Sequence, residues 1–83
     1  MPIAPTNLDA VETGAEVEVA RVGGERSFRR RLMELGLLPG TPLRKRRVAP
    51  MGDPIEIDVR GARLSIRRAE AELILVCAPA AAK

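Results

Sequence analysis

Apolar and charged residues alternate most strictly in Ile55-Glu56-Ile57-Asp58-Val59-Arg60, the period of a strand with one face buried. Ala62 to Arg67 repeats the pattern after Gly61, so the two runs predict a hairpin with a tight turn. Ala15 to Val19 alternates in the same way. The alternation slips at Ala20-Arg21-Val22, where Val22 falls on the opposite parity, and this predicts a bulge or a strand end. Leu73 to Cys77 is a short apolar run that reads as a buried closing strand. Thr41 to Val48 is the fifth predicted strand, and its pattern is poor: Leu43 shares its parity with Lys45 and Arg47.

Between the Ala15–Val19 and Thr41–Val48 strands the period changes. Phe28, Leu32 and Leu35 stand at i, i+4 and i+7, which predicts one apolar face on a helix from about Glu25 to Leu35. Gly23-Gly24 breaks the preceding strand, and Glu25 sits where a helix start favours negative charge. Gly36 follows the last periodic residue, the position of a left-handed cap, with Leu37 set to fold back on the last turn. Pro39-Gly40 then turns the chain, since proline presets φ and glycine accepts a positive one. Ala49 to Pro54 holds two prolines and a glycine and reads as a loop. Arg68 to Glu72 reads as one helical turn. Leu8 and Val11 read as a short turn tucked under the sheet.

Five short strands with one helix inserted after the first predict an all-β fold with short helices, curled into a small closed barrel. Closure would remove unpaired strand edges. Residues 1–83 are expected to form a single domain with its core in 8–77, flanked by loose segments at 1–7 and 78–83.

Composition narrows the chemistry. With 83 residues the chain can bury about 60% of its unfolded surface around one modest core. No run of 18 apolar residues exists, and the first seven residues lack the basic and apolar regions of a secretory signal, so a cytoplasmic protein is expected. The single cysteine, Cys77, forms no disulfide framework and ends an apolar strand as a small packing residue. There is no histidine, hence no ready general base near neutral pH, and no glycine-rich phosphate loop. An enzyme is not expected, nor a cofactor. No metal site is expected either, because the acids alternate with core residues instead of clustering.

The net charge is +3, and 13 of the 14 basic residues lie between Arg21 and Arg68. Arg29-Arg30-Arg31 and Arg44-Lys45-Arg46-Arg47 could touch phosphates. Phe28, the one aromatic residue, falls on the buried helix face, so stacking platforms for bases are missing and specific nucleic-acid readout is not expected. The 11 acids interleaved with these cations also fit a plain solvated face.

Arg31-Leu32-Met33-Glu34-Leu35-Gly36-Leu37-Leu38-Pro39-Gly40-Thr41, then Ala49-Pro50-Met51-Gly52-Asp53-Pro54-Ile55, then Gly61-Ala62-Arg63-Leu64-Ser65-Ile66-Arg67, resemble the FeoA family. The similarity covers about residues 8–77. The resemblance implies an SH3-like barrel, found in the cytosol as an accessory of a ferrous iron transporter, FeoB. The same domain type also ends DtxR-like metal-dependent repressors, and no helix-turn-helix portion is present in this chain.

Lys45 departs from the family resemblance, since the family usually carries Val or Ile at that strand position. Either its stem runs along the barrel while the ammonium reaches water, or the strand is locally irregular. A binding module needs a shaped surface, and the expected one combines Met33, Leu37, Leu38 and Pro39 with Met51, Gly52, Asp53 and Pro54. Leu37, Pro39, Gly52 and Pro54 also read as turn chemistry alone. Leu38 and Met51 are apolar residues at turn and loop positions, which suits contact with the cytosolic part of a FeoB-type transporter or weak self-association. The alternative from another class is a basic SH3-like regulatory module that binds nucleic acid or a metal-dependent repressor.

Overall fold

Every strand but the two-residue first one directs side chains into one apolar cluster. The structure, a computed structural model, describes residues 5–78. In chain order it comprises β1 (Thr6–Asn7), a 3-10 turn (Leu8–Ala10), β2 (Glu16–Val22), α1 (Arg26–Glu34), β3 (Pro42–Val48), β4 (Ile55–Val59), β5 (Ala62–Ile66), α2 (Arg68–Ala71) and β6 (Ile74–Cys77). The strands form one antiparallel sheet in the order β1-β6-β2-β3-β4-β5. The fold is the mostly-β, SH3-like one expected, with six strands where the pattern predicts five.

The extra strand is β1. It lies at the end of the arm expected to be loose, and it exists because β6 pairs with it, Thr6 opposite Val76 and Asn7 opposite Leu75. Two residues carry no readable period. The Asn7 side chain then accepts a hydrogen bond from the Ala10 N–H at 3.0 Å, which starts the 3-10 turn and drops Leu8 into the core. The remainder of the expected loose segments, residues 1–4 and 79–83, lies outside the described residues.

Two bulges bend the sheet. On β2, Val19 opposes Val76 and Arg21 opposes Leu75, so Ala20 is the extra residue, as the slipped alternation predicts. On β3, Lys45 opposes Ile57 and Arg47 opposes Glu56, so Arg46 is extra. This second bulge explains the poor pattern of β3. Leu43 and Lys45 point inward, the bulge reverses the parity, and Arg47 turns outward while Val48 packs against the core.

The Lys45 ammonium does not reach water. The residue is 4% exposed, and its Nζ donates to the backbone oxygens of Asp9 at 2.9 Å and Val11 at 2.6 Å. The other expectation for this position, local irregularity, is the one the strand shows.

No ladder joins β1 to β5 among the described residues. At that seam the barrel is closed by helical turns. The Leu8–Ala10 turn packs on α2, and Arg68 Nε pairs with Asp9 Oδ2 at 3.2 Å.

The candidate partner-binding surface

Helix α1 forms from good helix formers, with Phe28 and Leu32 turned to the core. Its N-cap is Glu25, and the carbonyl of Gly24 just before it accepts from Arg29 Nη1 at 2.6 Å. The C-terminal end is a Schellman motif. Gly36, at φ +99°, donates its N–H to the Met33 carbonyl at 3.0 Å, and Leu37 N–H donates to the Leu32 carbonyl at 2.9 Å. This pair of bonds folds Leu37 back over Leu32, and both are fully buried.

That geometry corrects two expectations. Leu37, expected at the surface, belongs to the core, with its side chain fully buried. Leu35, expected on the buried helix face, is 47% exposed, because the chain leaves the helix at that point and Leu37 fills the space beneath. Leu38 is then forced out, at 38% exposure. Its N–H donates to Thr41 Oγ1 at 3.2 Å, and its carbonyl accepts from Thr41 N–H at 2.9 Å across the Pro39-Gly40 turn. With Gly40 at φ +88°, this is the proline-then-glycine turn that the sequence requires.

The loop after β3 is held at both ends. Ala49 N–H donates to the Pro54 carbonyl at 3.0 Å, and Gly52 N–H to the Ala49 carbonyl at 2.7 Å. The Asp53-Pro54 peptide is cis. Asp53 Oδ1 accepts from the Arg68 N–H at 3.1 Å, so its carboxylate caps the start of α2. These bonds leave Met51 at the loop tip, 91% exposed.

Of the eight expected residues, Met33 and Pro54 line different depressions. Met33 lies on the outer face of α1, in a shallow depression with Arg26, Arg29 and Arg30. Pro54 faces the other flank of the helix. There, Arg31, Leu32, Leu35, Pro54, Ser65, Ile66, Arg67 and Glu70 line a groove of about 390 Å³ between α1, the loop and the end of β5. Arg31 stands at its rim, 5.6 Å over the Phe28 ring and ion-paired with Glu70. Glu70 Oε1 also accepts the Arg67 N–H at 3.0 Å. That backbone hydrogen bond, with the Arg31 guanidinium adding to it against partial burial, holds the Glu70 carboxyl below its ordinary value.

Sequence reasoning placed Arg31 among the cations that could touch phosphates, and missed Leu35 and Glu70 as residues of this groove. The available signal for Leu35 was its place directly before the capping glycine, where a short helix runs out of core to cover.

Of the three arginines of β3, Arg44 donates its Nε to the Gly14 carbonyl at 3.3 Å, and Arg46 and Arg47 look outward onto carboxylates. Arg46 pairs with Asp58 at 3.5 Å, Arg47 with Glu56 at 3.9 Å, and Arg63 of β5 with Asp58 at 3.8 Å. Each exposed pair contributes about 0–1 kcal/mol, so their main effect is to reduce the positive field of this face. Among the described residues no group of three or more His, Cys, Asp or Glu side chains could hold a metal ion, and no helix is long and apolar enough to cross a membrane.

Comparison with known proteins places this architecture. A fusion of Fe(2+) transport protein A with the Fe(2+) transporter FeoB from Porphyromonas gingivalis is 32% identical over 69 residues, 83% of this chain. The chain corresponds to 8% of that fusion's length. The solution structure of the FeoA protein from Chlorobium tepidum matches 94% of this chain and 74% of its own, with a TM-score of 0.85 and 44% identity. The FeoA-like protein from Clostridium acetobutylicum matches 87% of this chain and 84% of its own, with a TM-score of 0.79 and 40% identity. The FeoA domain model matches residues 6–77, which is nearly all of the described barrel, and the chain belongs to the FeoA domain family.

Proposed function

We propose that this chain is a non-enzymatic, cytoplasmic accessory module that binds the cytosolic part of a FeoB-type ferrous iron transporter. The observation that carries the proposal is the Porphyromonas gingivalis fusion, in which a segment like this chain and a Fe(2+) transporter share one polypeptide. Fusion holds two modules at high effective concentration, a benefit only where they meet. The surface supports the reading. Leu38 and Met51 are exposed on tightly bonded turns, so a partner that covers them gains apolar burial without ordering a loop. The chemistry is consistent with it as well, since the chain has no histidine and Cys77 lines an apolar groove with Val11, Val17 and Val76.

The test is a titration at physiological salt of the labelled chain with the full-length transporter in nanodiscs, with random duplex DNA as the parallel titrant. Saturable binding to the transporter alone is expected. Binding to DNA alone would overturn the proposal and favour a basic module that uses the depression lined by Gly14, Arg44, Arg46 and Arg47. That alternative also requires affinity that falls steeply with salt.

A further inference from the structure

The sheet ends at β5, and β5 pairs only with β4. The two strands are joined through Arg60 at φ +52° and Gly61 at φ +80°, a two-residue turn in which both central residues take positive φ. Val59 and Ala62, which flank the turn, therefore form a hydrogen-bonded pair, and the alternation of an antiparallel ladder fixes the rest. Ala62, Leu64 and Ile66 direct their backbone groups to β4. Arg63 and Ser65 direct both N–H and C=O away from the sheet. No backbone or side-chain partner meets these groups among the described residues. The next outward N–H, that of Arg67, is already taken by Glu70.

This free edge runs beside the groove under the end of α1, since Ser65 and Ile66 line it together with Leu32, Leu35 and Pro54. An unpaired edge next to an apolar groove is the arrangement that strand addition uses. A strand added to β5 would point alternate side chains to opposite faces. One set would enter the groove against Leu35, Pro54 and Ile66. The other would lie beside the outward side chains of Arg63 and Ser65, with Arg60 and Arg67 at the two ends. The acids of this region are already paired: Glu56, opposite Ser65, with Arg47, Asp58 with Arg46 and Arg63, and Glu70 with Arg31. The outer set therefore meets positive charge.

We propose that the β5 edge accepts an extended acidic segment of the partner, in which apolar residues alternate with aspartate or glutamate. This rests on the reading of the chain as a docking module and names where the partner's backbone lies.

The test follows individual amides by NMR hydrogen exchange in the whole chain. The probes are a hexapeptide of alternating glutamate and valine, its lysine-valine counterpart, and the transporter in nanodiscs. The acidic peptide is expected to slow exchange at Arg63 and Ser65 by about tenfold or more, as new backbone hydrogen bonds form. The basic peptide should act far more weakly. Ser65→Pro removes one outward N–H at an edge position that tolerates proline, and is expected to weaken acidic-peptide binding about tenfold. Leu35→Glu, which leaves the edge intact and places a like charge in the groove, should weaken it as well.

No slowing at Arg63 and Ser65, or binding unchanged in both variants, would overturn the inference. The transporter arm separates it from the proposed function. A transporter that binds and leaves these two amides unprotected overturns the edge and keeps the function. Protection by the acidic peptide with no transporter binding keeps the edge and overturns the function.

Discussion

The Lys45 ammonium lies 2.6 Å from the backbone oxygen of Val11, thirty-four residues away in the chain. It also donates to Asp9, so one side chain of β3 satisfies two carbonyls around the 3-10 turn. Lys45→Met keeps the stem and removes the donor. The variant is expected to lose about 1–3 kcal/mol, the cost of leaving a buried acceptor unpaired. Thermal unfolding reads this as a drop of roughly 4–8 °C per kcal/mol for a domain of this size. A Tm equal to that of the parent would show that water replaces the ammonium without cost.

Leu37 and Leu38 are neighbours with opposite fates. Leu37→Ala opens a cavity beneath the helix end and should cost about 2–5 kcal/mol. Leu38→Ala removes a side chain that is more than a third exposed and should cost about 1 kcal/mol or less. Chemical denaturation of the two variants side by side measures the difference, and equal losses would contradict the inward folding of Leu37.

Gly36→Ala isolates the backbone contribution. The nearest atom to an added Cβ is Arg60 Cδ at 3.8 Å, an ordinary contact, so steric crowding is not at issue. The φ of +99° remains, and the expected loss is about 1–2 kcal/mol. A stability unchanged from the parent would mean that the cap relaxes.

Glu70 gives stability a dependence on pH. Its folded carboxyl sits below the ordinary value of 4.5, so the unfolded chain binds the proton more readily. Stability linked to this group is complete above about pH 4.5 and is lost as pH falls through the lower folded value. Glu70→Gln removes the linkage. The Tm gap between the parent and this variant should be widest near neutral pH and close progressively in acid. A gap constant from neutral pH into the acid range would exclude the Arg67 and Arg31 contacts as its source.

Met51→Glu should leave stability within about 0.5 kcal/mol, since the side chain is 91% exposed on a loop held by its own backbone bonds. Transporter affinity should fall several-fold, as for the loss of about 1 kcal/mol from an interface residue. Wild-type affinity in both Met51→Glu and Leu38→Glu would remove these residues from the docking surface.

Much of this fold can be read from residue order because local rules agree with the global result. The β4–β5 hairpin, the glycine stop after α1 and the Ala20 bulge each follow from parity or turn chemistry within a few residues. What escaped depends on distant partners. β1 exists only through Val76 and Leu75. The inward turn of Lys45 depends on two carbonyls far back in the chain. The placing of Pro54 in a groove on the Leu35 side of α1 and of Met33 on the outer face depends on distant partners as well. The free edge of β5 follows from strand order, which periodicity along one chain does not reveal.

The β3 bulge also bears on how this chain can vary. At Arg46 the polypeptide is one residue longer than the ladder beside it: Lys45, Arg47 and Val48 oppose Ile57, Glu56 and Ile55 in unbroken sequence. Loss of that single residue would leave the same side chains inside and outside. Ala20 stands in the same relation to Val19 and Arg21 against β6. A deletion in β4 or β5, whose mutual register carries no extra residue, would exchange the inner and outer faces from that point on. These two positions are thus where the barrel can shorten without being rewritten.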